Sequence, residues 1–263
     1  MESDFKMIWI NYMRRSTFFK VILILLISSS LCNAQNSKAC EIGATRQISF
    51  AGYEWKVKSG YFYPGENYWD EKNVWVDDKG YLHMKISQHE GKWYCAEIST
   101  IEEFGFGSYQ FRVIDFVDKL DPNIVVGLFV YQTHETRNGQ INEIDIEFSH
   151  WGREELPIGN YTVTPVTQPF GISLAGNYTL HQFDWRHQDV FFQSFHGHIP
   201  QAEEVFSQWL YKPEQYHRLG PVPPVRVHLN LWLYGGKAPQ NGQEREIIIR
   251  DFTFTPLNDS TLN

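Results

Sequence analysis

One stretch carries more chemical information than any other in this chain: Ile141-Asn142-Glu143-Ile144-Asp145-Ile146-Glu147-Phe148. It alternates, and a β-strand sends successive side chains to opposite faces. Ile144, Ile146 and Phe148 share one face and suit a hydrophobic core. Glu143, Asp145 and Glu147 share the other, with neighbours ~7 Å apart along the strand. At an effective dielectric near 20, two unit charges at that spacing repel by about 2.4 kcal/mol, against about 0.6 kcal/mol in bulk water. A solvated strand face would tolerate two such acids. Three in a row, with Ile141 on the same face and Trp151 just after, favour a site whose chemistry needs them.

Glycoside hydrolysis is such a chemistry: two carboxyl groups flank the scissile bond and one of them holds a proton. The α-carbons of Glu143 and Glu147 are ~13 Å apart in an extended strand. Long side chains leaning inward over a curved sheet close to ~5–5.5 Å, the separation of retaining enzymes, or stop at the ~6.5–9.5 Å of inverting ones. Spacing alone leaves both open. Asp145, between them, can exchange hydrogen bonds with a neighbouring acid and help split their proton affinities.

The elements around this strand read as β throughout. Short alternating or apolar runs recur, punctuated by Gly, Pro and Asn, and no segment after residue 34 sustains a helical period with caps. Asn73 to Val76 and Tyr81 to Ser87 form a predicted hairpin around Asp77-Asp78-Lys79-Gly80. Asn123 to Gln132 is a nearly continuous apolar strand, Leu180 to Phe195 reads as two strands, and Glu246 to Phe254 as the last. Val225 to Tyr234 alternates: Val225, Val227, Leu229, Leu231 and Leu233 face one way, Arg226, His228, Asn230 and Trp232 the other. A sheet with one buried and one functional face reads this way. The aromatic loop from Tyr61 offers Tyr63, Asn67 and Trp69 either as lining of a cleft or as a clamp over the end of a sandwich. His196-Gly197-His198 lacks a third ligand and reads as a polar turn, not a metal site.

Composition bounds the partners. The chain has 263 residues, 42% of them hydrophobic and 16% aromatic, with a formal net charge of −8. That balance argues against nucleic acid. Aromatic richness suits sugar clefts and β-sandwich cores alike. Residues 1–34 read as a secretory signal: Arg14, Arg15 and Lys20 precede the apolar run Val21 to Ile27 with Leu31, and Ala34 precedes Gln35, with Met13 an alternative start. The run is too short for a transmembrane helix of ~20 residues, so no stable membrane insertion is expected. Residues 35–263 then form one exported domain, secreted or periplasmic and monomeric. Cys40 and Cys95 remain in it and suggest one disulfide, two free thiols being the alternative. Asn160, Asn177 and Asn258 begin glycosylation sequons.

Glu143-Ile144-Asp145-Ile146-Glu147 resembles the signature of glycoside hydrolase family 16, which includes bacterial licheninases and laminarinases, and further matches run from about Tyr61 to Phe254. The resemblance implies a concanavalin A-like jelly-roll β-sandwich with a concave cleft, Glu143 as nucleophile, Glu147 as acid/base and Asp145 assisting. It puts Glu97, in Trp93-Tyr94-Cys95-Ala96-Glu97, at a substrate-facing acid, and Phe129 and Tyr131 near the cleft. Asn230-Leu231-Trp232 is similar to a licheninase motif whose Asn and Trp line the cleft, and Asn67 joins the expected sugar ligands. Cys95 falls where licheninases place one disulfide cysteine. Their partner position is near Asn67 here, which leaves Cys40 as the candidate. The resemblance further implies a structural Ca²⁺ held by Asp251, the Gly80 carbonyl and a carbonyl near the amino terminus whose residue it does not fix; no cofactor is expected for catalysis. One position departs: where family members often carry Trp two residues before the nucleophile, this chain has Ile141. The expected activity is an endo-β-glucanase on 1,3- or 1,3-1,4-linked glucans. A galactan hydrolase, a transglycosylase and a non-catalytic lectin-like module are the alternatives.

Overall fold

The computed structural model describes residues 46–132, 143–214 and 222–258. The expected signal segment and Cys40 lie outside the described residues, as does Ile141. Among the described residues no helix is long and apolar enough to cross a membrane.

Seventeen strands make up the described chain: β1 (Arg46–Phe50), β2 (Tyr53–Val57), β3 (Gly60–Phe62), β4 (Asn67–Trp69), β5 (Val74–Val76), β6 (Leu82–His89), β7 (Lys92–Thr100), β8 (Gly107–Ile114) and β9 (Ile124–Gln132), then β10 (Glu143–Phe148), β11 (Gly159–Val163), β12 (Val166–Phe170), β13 (Tyr178–Trp185), β14 (Val190–His196), β15 (Val205–Tyr211), β16 (Val225–Leu233) and β17 (Arg245–Pro256). They form two antiparallel sheets. Sheet I runs β12-β11-β10-β9-β16-β7-β2-β1. Sheet II runs β5-β6-β17-β8-β13-β14-β15. The β6–β7 hairpin crosses between them, and β4, of the small antiparallel β3–β4 pair, runs parallel to β7 beside Tyr94 and Cys95. This is the jelly-roll β-sandwich that the sequence leads one to expect.

Alternation explains the sandwich. From sheet I, Ile144, Ile146, Phe148, Val227, Leu229 and Leu231 are buried. From sheet II, Tyr109, Phe111, Phe183, Phe192 and Phe252 meet them. Ring contacts join the layers: Trp55 to Phe252 at 5.8 Å, Phe148 to His181 at 4.7 Å and Tyr161 to Phe192 at 4.9 Å. Burying side chains of this size contributes roughly 1.5–3 kcal/mol each. The inward residues of β10 thereby anchor the strand, and the pleat obliges Glu143, Asp145 and Glu147 to face outward.

The loop from Tyr61 acts as a clamp. Trp69 is buried and donates Nε1–H to the Phe62 carbonyl at 2.9 Å, with Lys58 Nζ 4.0 Å from its ring centroid. Asn67 is buried too, and its Nδ2 donates to the carbonyls of Pro64 and Leu233. Cys95 is a free, buried thiol whose Sγ donates to Asn67 Oδ1 at 3.4 Å. The expected disulfide at Cys95 is thus replaced by a thiol–amide contact. Asn67 does stand against Cys95, as the licheninase comparison of positions implied.

Candidate active site

Register brings the outward residues of sheet I into rows. Glu147 lies opposite Gly127 on β9 and Asn160 on β11; Gly127 lies opposite Asn230, and Asn230 opposite Glu97. One row therefore crosses five strands: Asn160, Glu147, Gly127, Asn230, Glu97. At ~4.8 Å per strand it is ~19 Å long. The next row holds Thr162, Asp145, Phe129, His228 and Ser99. Glu143 heads a third with Tyr131 and Arg226, and Trp232 lies beyond Asn230, opposite Val125. Trp151, after β10, brings its ring to 6.5 Å from that of Trp232 and 5.6 Å from that of Tyr234.

Gly127 is glycine because of a close approach. A Cβ there would sit 2.5 Å from Asn230 Oδ1, so only a bare α-carbon lets that amide lie beside Glu147. Five polar atoms around this point are buried without a hydrogen-bond partner: Asp145 Oδ1, Asn160 Nδ2, Asn230 Oδ1, Trp151 Nε1 and Trp232 Nε1. Folded proteins rarely leave buried donors and acceptors unsatisfied, each costing about 1–3 kcal/mol. Their gathering around the carboxylates marks a surface prepared for a polar ligand with both donors and acceptors.

The carboxyl groups are perturbed together. Burial, then repulsion from Glu143, pushes the Glu147 carboxyl up to about 8, against a hydrogen bond from Asp145. Burial raises Asp145 well above the ordinary aspartate range, and the charges of Glu147 and Glu143 add to it. Glu143 is raised by burial and by Glu97, but its hydrogen bond from Asp145 and the charge of His228 oppose the rise. Asp145 lies within hydrogen-bonding influence of both neighbours, and its proton affinity is coupled to theirs. Near neutral pH the arrangement keeps a proton available at Glu147. Neighbouring carboxyl groups with perturbed, coupled proton affinities are a feature of acid–base sites.

Of the expected sugar ligands, Phe129, Tyr131, Asn230 and Trp232 share the face of the triplet. Glu97 does as well, but it is tied down: Lys58 Nζ lies 2.7 Å from Oε2 and His228 Nδ1 3.3 Å from Oε1. Burial alone would raise the Glu97 carboxyl; Lys58 and His228 outweigh it and hold it below the usual range. Asn67 does not join the group, its amide hydrogens being spent on backbone carbonyls inside the clamp. Lys58, Gly127, Asn160 and His228 are site neighbours whose places depend on register. Asn160 had only its sequon to mark it. It is 4% exposed and faces Glu147, a position that leaves no room for a glycan.

Of the expected calcium ligands, Asp251 is already paired. Asp251 Oδ2 receives Arg112 Nη1 at 3.2 Å, so a guanidinium already neutralises the single carboxylate of the expected set. Among the described residues no group of three or more His, Cys, Asp or Glu is placed to hold a metal. His198 instead hydrogen-bonds the Val113 carbonyl at 2.8 Å, as a turn residue.

The fold defines a class: jelly-roll sandwiches in which the outward face of one sheet carries the polar rows. No protein-family model and no curated protein matches the sequence. Among solved structures the chain is similar to a β-1,3-1,4-glucanase (lichenase) from a mouse hindgut metagenome, with 21% identity, TM-score 0.58, and 81% of this chain and 99% of that one covered. It is similar to a laminarinase from Flavobacterium sp. UMI-01 at 15% identity and TM-score 0.61, covering 80% and 97%. A pseudo β-1,3-glucanase of Mycobacterium tuberculosis aligns at 17% identity and TM-score 0.61, covering 82% and 100%. At these identities the likeness is one of fold.

Proposed function

We propose that this chain is a retaining glycoside hydrolase, an endo-β-glucanase cleaving 1,3- or 1,3-1,4-linked glucans, exported after removal of residues 1–34. The observation that carries the reading is the Glu143–Asp145–Glu147 row, with the Glu147 carboxyl raised to about 8 and unpartnered polar atoms gathered around it. Glu143 attacks the anomeric carbon while Glu147 gives its proton to the departing glycosidic oxygen. Glu147, now a base, takes a proton from the water that releases the sugar from Glu143. Asp145 exchanges a hydrogen bond between the two as charge moves. Trp232 and Phe129 offer apolar faces to sugar rings, and Asn230 and Asn160 offer amides to hydroxyls. The β-glucanases that share the fold support this substrate class. Both carboxyl roles are filled by the chain itself, and water is the only co-reactant.

The test is a screen of the purified protein against lichenan, laminarin, xyloglucan, agarose and carrageenan, with Glu147→Ala assayed alongside on an aryl β-glycoside. Reducing ends from lichenan or laminarin, and release of a β-glycosyl azide from Glu147→Ala in azide, are the expected results. Cleavage of agarose or carrageenan alone would reassign the substrate to galactans. Binding without cleavage of any polysaccharide would overturn the enzyme reading in favour of a lectin.

A further inference from the structure

A run of aromatic rings lies outside the rows of the triplet. Tyr61 on β3 and Tyr68 on β4 are register partners, and Tyr68 pairs in turn with Tyr94 on β7. Their ring centroids follow one another at 4.7 and 5.8 Å, and His89 stacks on Tyr94 at 3.7 Å. Alternation separates this strip from the interior of the clamp, because the buried Asn67 and Trp69 flank Tyr68 and take the opposite face. Tyr61 is 50% exposed, and Tyr63, two residues on, is 64% exposed. Exposed aromatics scattered singly are ordinary on a protein surface; adjoining ones mark a place of contact.

The strip begins where the row of Glu147 ends. Glu97 is the last member of that row, and Lys58 Nζ, 2.7 Å from its Oε2, also donates to the Tyr63 carbonyl at 2.6 Å. The backbone around Tyr63 is packed tightly. Asn67 Nδ2 donates to the Pro64 and Leu233 carbonyls, a Cβ on Gly65 would meet Asn67 Nδ2 at 2.8 Å, and one on Gly236 would meet the Glu66 carbonyl oxygen at 2.6 Å. The Tyr63 side chain is left out of that packing. An exposed ring on a fixed backbone gives up little freedom when it binds. Charges of both signs surround the strip: Lys92 Nζ lies 4.5 Å from the Tyr68 ring centroid, Glu66 is exposed in the turn, and Asp70 is engaged by His89 at 3.1 Å. Mixed charge and phenol hydroxyls suit a neutral polyol with apolar ring faces. Taking the reading of the cleft as a glucan site, we propose that the strip Tyr63, Tyr61 and Tyr68 binds the stretch of β-glucan that overhangs the cleft beyond Glu97. Glu97 lies three strand spacings, ~14 Å, from Glu147, so the sugars held there are remote from the broken bond. The strip leaves the chemistry of a short substrate alone and raises affinity for a long one, as a second contact on the same chain does.

The experiment reads binding without turnover. The full chain carrying Glu143→Gln is run through native gels containing lichenan or laminarin, and its retardation gives the affinity for an uncut glucan. Adding Tyr61→Ala and Tyr63→Ala should weaken that affinity about tenfold, the worth of two ring contacts. In the chain with its acids intact, the same pair of changes should raise KM on the polysaccharide and leave kcat/KM on an aryl β-glycoside unchanged. Equal retardation with and without the tyrosines overturns the proposal, and so does no retardation of the Glu143→Gln chain by either glucan. An equal loss on aryl glycoside and polysaccharide also overturns it, since the rings would then serve the cleft itself. Cleavage is scored apart: retardation that depends on the tyrosines, without release of reducing ends by the wild-type chain, would sink the proposed function and keep the strip. Should the doubly changed chain not fold, acetylation of tyrosines in the Glu143→Gln chain decides. Lichenan should protect Tyr61 and Tyr63 from N-acetylimidazole, and a glucan disaccharide should not; equal labelling with and without lichenan rejects the proposal.

Discussion

Two rows of polar side chains cross this molecule, one on each sheet, and they differ in how their hydrogen bonds end. On sheet II, Gln110, Gln182, Gln193 and Gln208 lie in register on β8, β13, β14 and β15. Each amide donates to the next, at 2.9, 3.1 and 3.5 Å. Its side chains are neutral and bonded in sequence, and Arg112 Nη2 donates to Gln110 Oε1 at its start, at 3.4 Å. On sheet I, Asn160, Glu147, Gly127 and Asn230 are placed by equivalent register, but Asn160 Nδ2 and Asn230 Oδ1 are left buried and unpartnered beside a carboxyl raised to about 8. Both rows obey the same β geometry. Only one holds its polar groups in a costly state, and unspent hydrogen-bonding capacity separates a site from a surface.

The largest test of that contrast is removal of the acids. Glu143→Gln and Glu147→Gln should each lower kcat/KM on a cleaved glucan by about 10²–10⁴-fold, the usual worth of a positioned proton-transfer group or more. Activity within threefold of wild type in either would return the outward face of β10 to ordinary surface. Next comes Gly127→Ala, whose Cβ would meet Asn230 Oδ1 at 2.5 Å. Displacing that amide should cost about 10–100-fold in kcat/KM and about 1–3 kcal/mol in stability from overpacking. A variant with unchanged kinetics would show that Asn230 need not lie beside Glu147.

The raised Glu147 carboxyl also links pH to stability. The folded chain keeps a proton that the unfolded chain releases near pH ~4.3, so stability falls as pH rises from there toward about 8. Glu147→Gln removes the penalty. Its melting temperature should exceed wild type more at pH 8 than at pH 5, by about 2–4 °C for each kcal/mol relieved. An equal gain at both values would mean that Glu147 is ordinary. Under the proposed function, loss of the same proton should set the basic limb of glucan cleavage near pH 8, a limb that a pH–kcat profile would show. The smallest effect belongs to sheet II: Gln193→Ala with Gln208→Ala should change stability by about 0.5 kcal/mol or less and leave glucan cleavage unchanged in rate.

What the sequence showed, and what it hid, follows from the range of each signal. Alternation within a strand is local, so β10 and β16 could be read residue by residue, and their inward and outward sets are those of the structure. Strands β12, largely exposed, and β15, mostly half-buried, lack a clean inward face and gave no such pattern. Register is not local. Nothing near Asn160 says that it faces Glu147, and nothing near Gly127 says that an amide from β16 will lie across it. Conversely, Asn67 and Glu97 have the chemistry of sugar ligands, yet their hydrogen bonds go to partners far along the chain, the Leu233 carbonyl for one and His228 for the other. Residue type shows what a side chain can bond; only the fold decides what it does bond.

The thiol of Cys95, buried against Asn67, has a practical consequence. Burial pushes it up to about 12, so at neutral pH it is protonated, enclosed and inert to disulfide reagents. It lies where the clamp from Tyr61 meets β7, parallel to β4. In a chain with Cys32 and Cys40 changed to serine, its rate of modification becomes a clock for opening of that joint. Coloured thiol reagents would then time how often one end of the sandwich comes apart, in native buffer and without denaturant.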